Sequence, residues 1–419
     1  MKSSPSLLLK NVQHPDGRIG DLSISSGRVG HFGAGQDAEN VINCTGLLVL
    51  PAAVDMHVHM RGWRQSAKED WASGSKSALA GGVTVVVDQP NTLPPLTTPA
   101  LFSARVCEAK TYSLCNFAIN SSVTPDTALF AMWKAGAMAF GEIFCAPSSY
   151  SEAIGTKELT ASLGCIAELG ALATVHAESV NAGPDTNLIS HDALRSPERE
   201  ILAIHAIRRS NTSGCRLHFC HMSTARAIDA AAGTIEVTPH HLFLSREQFM
   251  PDETKVKVNP PLRSERERKE LWTRWKQIDV IASDHAPHTA AEKGLTFPEA
   301  PSGVPGVETM VPLLLAEVLN RRITLPDLIL KTSQAPARLL GLPPAGFVPG
   351  DRGDFALYPK IAVRIDPDRL HSRCGWTPFE GHMALFPSVV IRDGMVAYRD
   401  GEFFRYEPTW FAGNGYVPP

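Results

Sequence analysis

Asp55-Met56-His57-Val58-His59-Met60-Arg61 closes a run of apolar residues: Leu47, Leu48, Val49, Leu50, Ala52, Ala53 and Val54. Residues two apart on a β-strand point to the same face, so both imidazoles can reach one metal ion. Arg61, two residues further on, is placed to hold an anionic group beside that metal. A bare His-x-His pair also occurs in ordinary strands, so the rest of the chain has to decide.

Eight β-rich apolar segments recur between helical patterns: 48–57, 83–88, 114–121, 137–144, 172–178, 216–222, 235–240 and 278–284. Helical periodicity falls on 68–80, 99–110, 151–169, 196–209 and 264–276. Continuous apolar strands alternating with helices predict an α/β fold, a TIM-like (β/α)8 barrel with a parallel sheet. The chain ends read differently. Asp16-Gly17, Ser26-Gly27, Asp393-Gly394 and Asp400-Gly401 are hairpin signals between short alternating strands. The expected organisation is a small β-sandwich built from residues 1–47 and 345–419, around a catalytic barrel of residues 48–344.

Polar residues gather where the barrel strands end, the face on which such folds carry their active sites. His57 and His59 end the first strand and Asn91 follows the second. Glu142 lies in the fourth, His176 and Glu178 end the fifth, and His221 ends the sixth. His240 and His241 follow the seventh, and Asp284 ends the eighth. His57 and His59 would ligate one metal, and His176 and His221 a second. Imidazole with carboxylate suits Zn²⁺, with Mn²⁺, Co²⁺ or Fe²⁺ also fitting. A carboxylate at Asp284 can bind metal and accept a proton from metal-bound water. His288 falls in the following loop, within reach of substrate. Asn259-Pro260-Pro261 is a rigid turn that either stiffens the loop or binds ligand. Gly303 to Thr309, with Pro305 and Gly306, lets backbone groups approach a ligand closely. Cys145 to Tyr150 reads as an active-site loop, and the charges of 264–276 as a solvated helix face.

A net charge of −3 over 419 residues gives no basic surface for nucleic acid or anionic lipid. No apolar run has the length of a membrane span. The N-terminal residues lack the hydrophobic core of a secretory signal. Eight irregularly spaced cysteines with no Cys-x-x-Cys suit reduced thiols and a cytoplasmic location, not a disulfide framework.

Together these residues resemble the amidohydrolase superfamily, its cyclic amidohydrolase branch, and within that the dihydroorotases. Asp55 to Arg61 is similar to the family's DxHxHxR motif, which implies that Arg61 binds the substrate's α-carboxylate. Gln89-Pro90-Asn91-Thr92 is similar to MPNT, whose Asn also contacts substrate. Val175-His176-Ala177-Glu178 and Cys220-His221-Met222-Ser223-Thr224 resemble the single-histidine metal motifs. Ser283-Asp284-His285-Ala286-Pro287-His288 and Gly303 to Thr309 resemble the catalytic Asp motif and the loop after it. The resemblance implies reversible cyclisation of N-carbamoyl-L-aspartate to L-dihydroorotate in pyrimidine biosynthesis. In it, metal-bound hydroxide attacks and Asp284 acts as general acid and base. It also implies zinc, two ions per chain or one, and a homo-oligomer, a dimer. The alternatives are a hydantoinase-, dihydropyrimidinase- or allantoinase-like enzyme, and a non-catalytic scaffold. One departure stands out. Many relatives bridge two metals with a carboxylated lysine in the fourth strand, and Ala139-Phe140-Gly141-Glu142-Ile143-Phe144 has none. Glu142 is the candidate substitute; a single-metal or rearranged site is the alternative.

Overall fold

The computed structural model describes residues 7–14, 16–33, 38–125, 127–146 and 153–418. Most of the Cys145–Tyr150 loop and the start of the 151–169 helical pattern lie outside them.

The N-terminal segment forms β1 (Leu7–Gln13), β2 (Ile19–Ser25), β3 (Arg28–Gly33) and β4 (Asn40–Asn43), in one sheet of order β3-β2-β1-β4. The β2–β3 hairpin turns at Ser26 and Gly27, with φ of 49° and 73°. Two successive positive φ values are what a tight hairpin matched to strand twist requires. Next come β5 (Leu47–Pro51) and then the central strands: β6 (Ala53–Val58), β7 (Val83–Asp88), β8 (Asn116–Ile119), β9 (Phe140–Phe144), β10 (Leu172–His176), β11 (Arg216–Phe219), β12 (Thr234–Val237) and β13 (Val280–Ile281). The C-terminal part adds β14 (Phe355–Pro359), β15 (Val363–Arg364), β16 (Met383–Ala384), β17 (Val389–Arg392), β18 (Met395–Arg399) and β19 (Glu402–Phe403).

The central strands form two parallel sheets, β6-β7-β8 and β9 to β13 in sequence order. Parallel bridges join Ser121 to Phe140, next to β8 and β9, and Val58 to His285, next to β6 and β13. Helices separate the strands, among them Trp71–Ala80, Pro99–Tyr112, Thr156–Glu168 and Pro197–Ser210. Asp70 caps the first of these, accepting from Ser73 N at 2.9 Å.

Residues 48–57, expected as one strand, form parts of two. β5 pairs antiparallel with β14, at the edge of the sheet β19-β18-β17-β14-β5, whereas β6 pairs parallel with β7. Pro51 has no N–H to continue a ladder, which an edge strand tolerates. The chain crosses at Ala52, whose N–H donates to Asp354 O at 3.0 Å, while Ala53 N already donates to Gly82 O. The terminal layer therefore reaches residue 51. Leu7, Leu9, Ile24, Val49, Phe355 and Ile391 make one shared core of its two sheets.

The C-terminal part does more than complete that layer. Ile365, Trp376 and Phe379 pack with Leu188, Leu244 and Val258 near the strand ends. Trp376 Nε1 donates to His288 O at 2.8 Å, so this excursion braces the loop after β13.

Candidate metal centre

Asp88, at the end of β7, fixes the segment after β6: Oδ1 accepts from Met60 N at 2.8 Å and Oδ2 from Arg105 Nε at 2.8 Å. His57 and His59 leave β6 on one face, as their spacing requires. Their Nε2 atoms lie 3.5 and 3.1 Å from Asp284 Oδ1. Across the site, Glu142 Oε1 is 2.8 Å from both His176 Nδ1 and His221 Nε2, and its Oε2 is 3.6 Å from His57 Nε2. Residues in or just after five strands, β6, β9, β10, β11 and β13, thus converge on one point. Two overlapping donor sets result, His57–His59–Asp284 and His57–Glu142–His221, each with its atoms within 4.8 Å of one another.

The backbone is held unusually to achieve this. Arg61, His221 and Asp284 have φ of 48°, 37° and 47°, a region costly for residues with a Cβ and concentrated at functional sites. Gly141, at φ 130°, sits where a Cβ would run into the carbonyl and hydroxyl oxygens of Thr174. Gly141→Ala is therefore expected to destabilise the fold by about 2–4 kcal/mol and to displace Glu142. Urea denaturation read alongside metal content checks both effects, and an unchanged midpoint would refute the first.

Three of the four histidines have a partner on the far side that selects a tautomer. His59 Nδ1 donates to Asn91 Oδ1 at 2.8 Å. His57 Nδ1 donates to Glu236 Oε1 at 3.0 Å, and His176 Nε2 faces Glu178 Oε2 at 3.4 Å. In each case the other ring nitrogen keeps its lone pair toward the shared centre. His57 Nε2 is buried and makes no hydrogen bond. Imidazole and carboxylate donors around an unsatisfied buried nitrogen fit a divalent metal such as zinc.

Without metal the same groups compete for protons. Burial opposes charge on Glu142, but hydrogen bonds from His176 and His221, with His57 close by, hold it well below the usual carboxylate range. Burial lowers His176 too, yet Glu142 and Glu178 outweigh it and raise it to about 10. Metal binding must displace these protons, so affinity should fall as pH falls.

A cavity of about 60 Å³ opens on this centre, lined by His59, Arg61, Asn91, Glu142, Asn259 and Asp284, among others. A recess of about 450 Å³ shares Asn91, Glu142 and Phe144 with it. A larger cavity of about 560 Å³, by Arg364, His371 and Tyr398, contains none of these residues. Arg61 Nε donates to Pro287 O at 3.3 Å. His288 is buried behind Arg61 rather than on the cavity wall. Its Nδ1 accepts from Lys68 Nζ at 3.2 Å, and its Nε2 donates to Ser302 O at 3.0 Å. Burial lowers His288 to about 3, so it is neutral at physiological pH. Asn259 Oδ1 accepts from His191 Nε2 at 2.9 Å and Ser302 Oγ at 3.2 Å. Pro305 and Gly306 line a separate small pocket with His285 and Trp376. His240 and His241 are buried at the start of the short helix Pro239–Phe243.

Sequence reasoning missed Glu236. Its signal was a lone carboxylate in the buried strand Thr234–Val237, which has no solvent in which to place it.

No protein-family model matches the chain. It is 38% identical to a dihydroorotase of Halobacterium salinarum over 409 residues, 94% of this chain and 97% of that one. It is 37% identical to a dihydroorotase of Methanosarcina acetivorans, covering 91% of this chain and 89% of the relative. Among solved structures it resembles an L-hydantoinase from Arthrobacter aurescens, with a TM-score of 0.90 at 24% identity over 98% of this chain and all of that one. A D-hydantoinase from a Thermus species gives a TM-score of 0.88 at 24% identity, over 98% of this chain and 99% of that one. At that identity the last two speak for the fold alone.

Proposed function

The chain belongs to the dihydroorotase family of cyclic amidohydrolases, and we propose that it interconverts N-carbamoyl-L-aspartate and L-dihydroorotate with the residues described above in the following roles. The observation that carries the substrate is Arg61, on the wall of the cavity that also holds His59 and Asp284. His57, His59, His176, His221, Asp284 and Glu142 would hold the metal, zinc, as two ions per chain. Bound there, it would lower the pKa of water to give a nucleophile and would polarise the ring carbonyl. Asp284 takes the proton of the attacking water and delivers it to the departing ring nitrogen. Burial pushes Asp284 up, but His57 and His59 outweigh it and keep it below the usual carboxylate range. It therefore begins the hydrolytic direction as a base.

Arg61, Asn91 and Asn259 orient the substrate, Arg61 by pairing with the exocyclic carboxylate. His288 acts from behind by holding the 302–303 backbone beside that carboxylate. Pro305 and Gly306 shape the loop that carries His285. The two parallel sheets are read as one closed (β/α)8 barrel, a reading supported by the bridges at Ser121–Phe140 and Val58–His285. Among the described residues no helix is long and apolar enough to cross a membrane. A reducing cytoplasm suits the eight free cysteines.

Purified protein assayed in both directions, with metal content measured on the same sample, tests the proposal. Arg61→Met is expected to lose on the order of 10²-fold in kcat/KM for dihydroorotate while keeping its metal. A carboxylate-free ring such as dihydrouracil or hydantoin should not show that loss. An unchanged rate on dihydroorotate would remove the substrate assignment. Activity on carboxylate-free rings alone would favour a hydantoinase-like enzyme, and metal without any activity a scaffold.

A further inference from the structure

We propose that Glu236 is a positioning residue that pre-organises two metal ligands at once, acting from β12 on strands that are not its own. The proposal rests on the reading of His57 and His221 as ligands. Glu236 is fully buried and each of its oxygens is committed. Oε1 accepts from His57 Nδ1 at 3.0 Å and from the backbone N–H of His221 at 3.0 Å. Oε2 accepts from His218 Nε2 at 3.1 Å, and His218 Nδ1 in turn meets Thr234 Oγ1 at 2.9 Å.

Two consequences follow from this geometry. A carboxylate at Nδ1 fixes the His57 tautomer, so the lone pair stays on Nε2, the atom that faces Asp284 and Glu142. The same oxygen holds His221 at a backbone φ of 37° that a residue with a Cβ rarely adopts. The carbonyl of Glu236 also accepts from Met222 N at 2.8 Å, so side chain and backbone clamp the turn after β11 together. Asn91 and Glu178 each serve a single ligand; Glu236 couples one from β6 to one after β11. His218 keeps the carboxylate from swinging, because it occupies the second oxygen.

The test is metal affinity by chelator competition on Glu236→Gln. It is paired with the visible absorption of the Co²⁺-substituted protein and the thermal midpoint of the metal-free protein. Expected is a loss of affinity of about 10- to 100-fold and an altered Co²⁺ spectrum, beyond any change in the metal-free midpoint. A purely structural residue would move the midpoint and leave affinity and spectrum alone, and that result would overturn the proposal. If Glu236→Gln does not accumulate folded, His218→Gln releases Oε2 and should weaken metal binding several-fold; no change there would equally refute the link. His57, Cys220 and Glu236 also stand within ligating distance of one another. Cys220→Ala should therefore leave metal content intact. If it loses metal as Glu236→Gln does, Glu236 is itself a ligand and the positioning role is wrong. His57→Ala separates the premise: full metal content in that variant would sink the ligand assignment along with anything built on it.

Discussion

Asp284→Asn is expected to lose on the order of 10³-fold in turnover, with little change in KM. The side chain keeps its shape, and one oxygen can still lie near His59 Nε2, where Asp284 Oδ1 now sits at 3.1 Å. What disappears is the ability to take a proton and return it. General acid–base assistance contributes about 10²- to 10⁴-fold, and a residue that works in both halves of the reaction belongs in the upper part of that range. Some loss will also come from weaker hold on the metal, so metal content has to be measured on the assayed sample. Restoring metal to the wild-type level should not restore turnover. If the variant with full metal stays within about tenfold of the wild type, proton transfer is done by another group, and the role given to Asp284 fails.

The parts of this molecule that sequence made legible are those with a strict period or a motif. His57 and His59 are two residues apart on a strand, so their common face followed from geometry alone. His176, His221 and Asp284 each follow a short apolar run, and all reach one centre. The hairpins at Ser26-Gly27 and Asp393-Gly394 adopt positive φ at both central positions, as their residue types suggest. What failed to show was any relation between distant segments. The near-continuous apolar run from Leu47 to Val54 hid the crossing at Ala52, because neither strand alternates in burial. Trp376 bracing His288, 88 residues away in sequence, left no periodic trace. Glu236 was overlooked for a related reason: a carboxylate that serves histidines from other strands looks locally like an error in an apolar strand. Asn259 and His288 were readable as residue types near a loop. Whether each lines the cavity or stands behind it depends on packing that only coordinates supply.

Glu142→Ala carries the largest expected effect on metal content. The bridging carboxylate of many relatives is a modified lysine, and the β9 segment of this chain offers only Glu142 in its place. The carboxylate reaches both sides of the centre, with Oε1 on His176 and His221 and Oε2 toward His57. Its position between the two histidine groups is what a bridge requires. Removing it leaves three buried imidazoles facing one another with no anion between them. If two cations bind there, their mutual repulsion would lose the carboxylate that offsets it. Loss of at least one metal per chain is expected, with activity down on the order of 10³-fold or more, about 4 kcal/mol of transition-state stabilisation. Glu142→Gln is the sharper arm because it preserves size and one oxygen but removes the charge. It should keep the site next to His59 and Asp284 and weaken the other. Metal titration followed by mass spectrometry under native conditions counts the ions directly. Two ions and full activity in both variants would show that Glu142 does not bridge. One ion in the wild type, with activity intact, would keep the enzyme and discard the bridge, leaving Glu142 as a buried acceptor for His176 and His221.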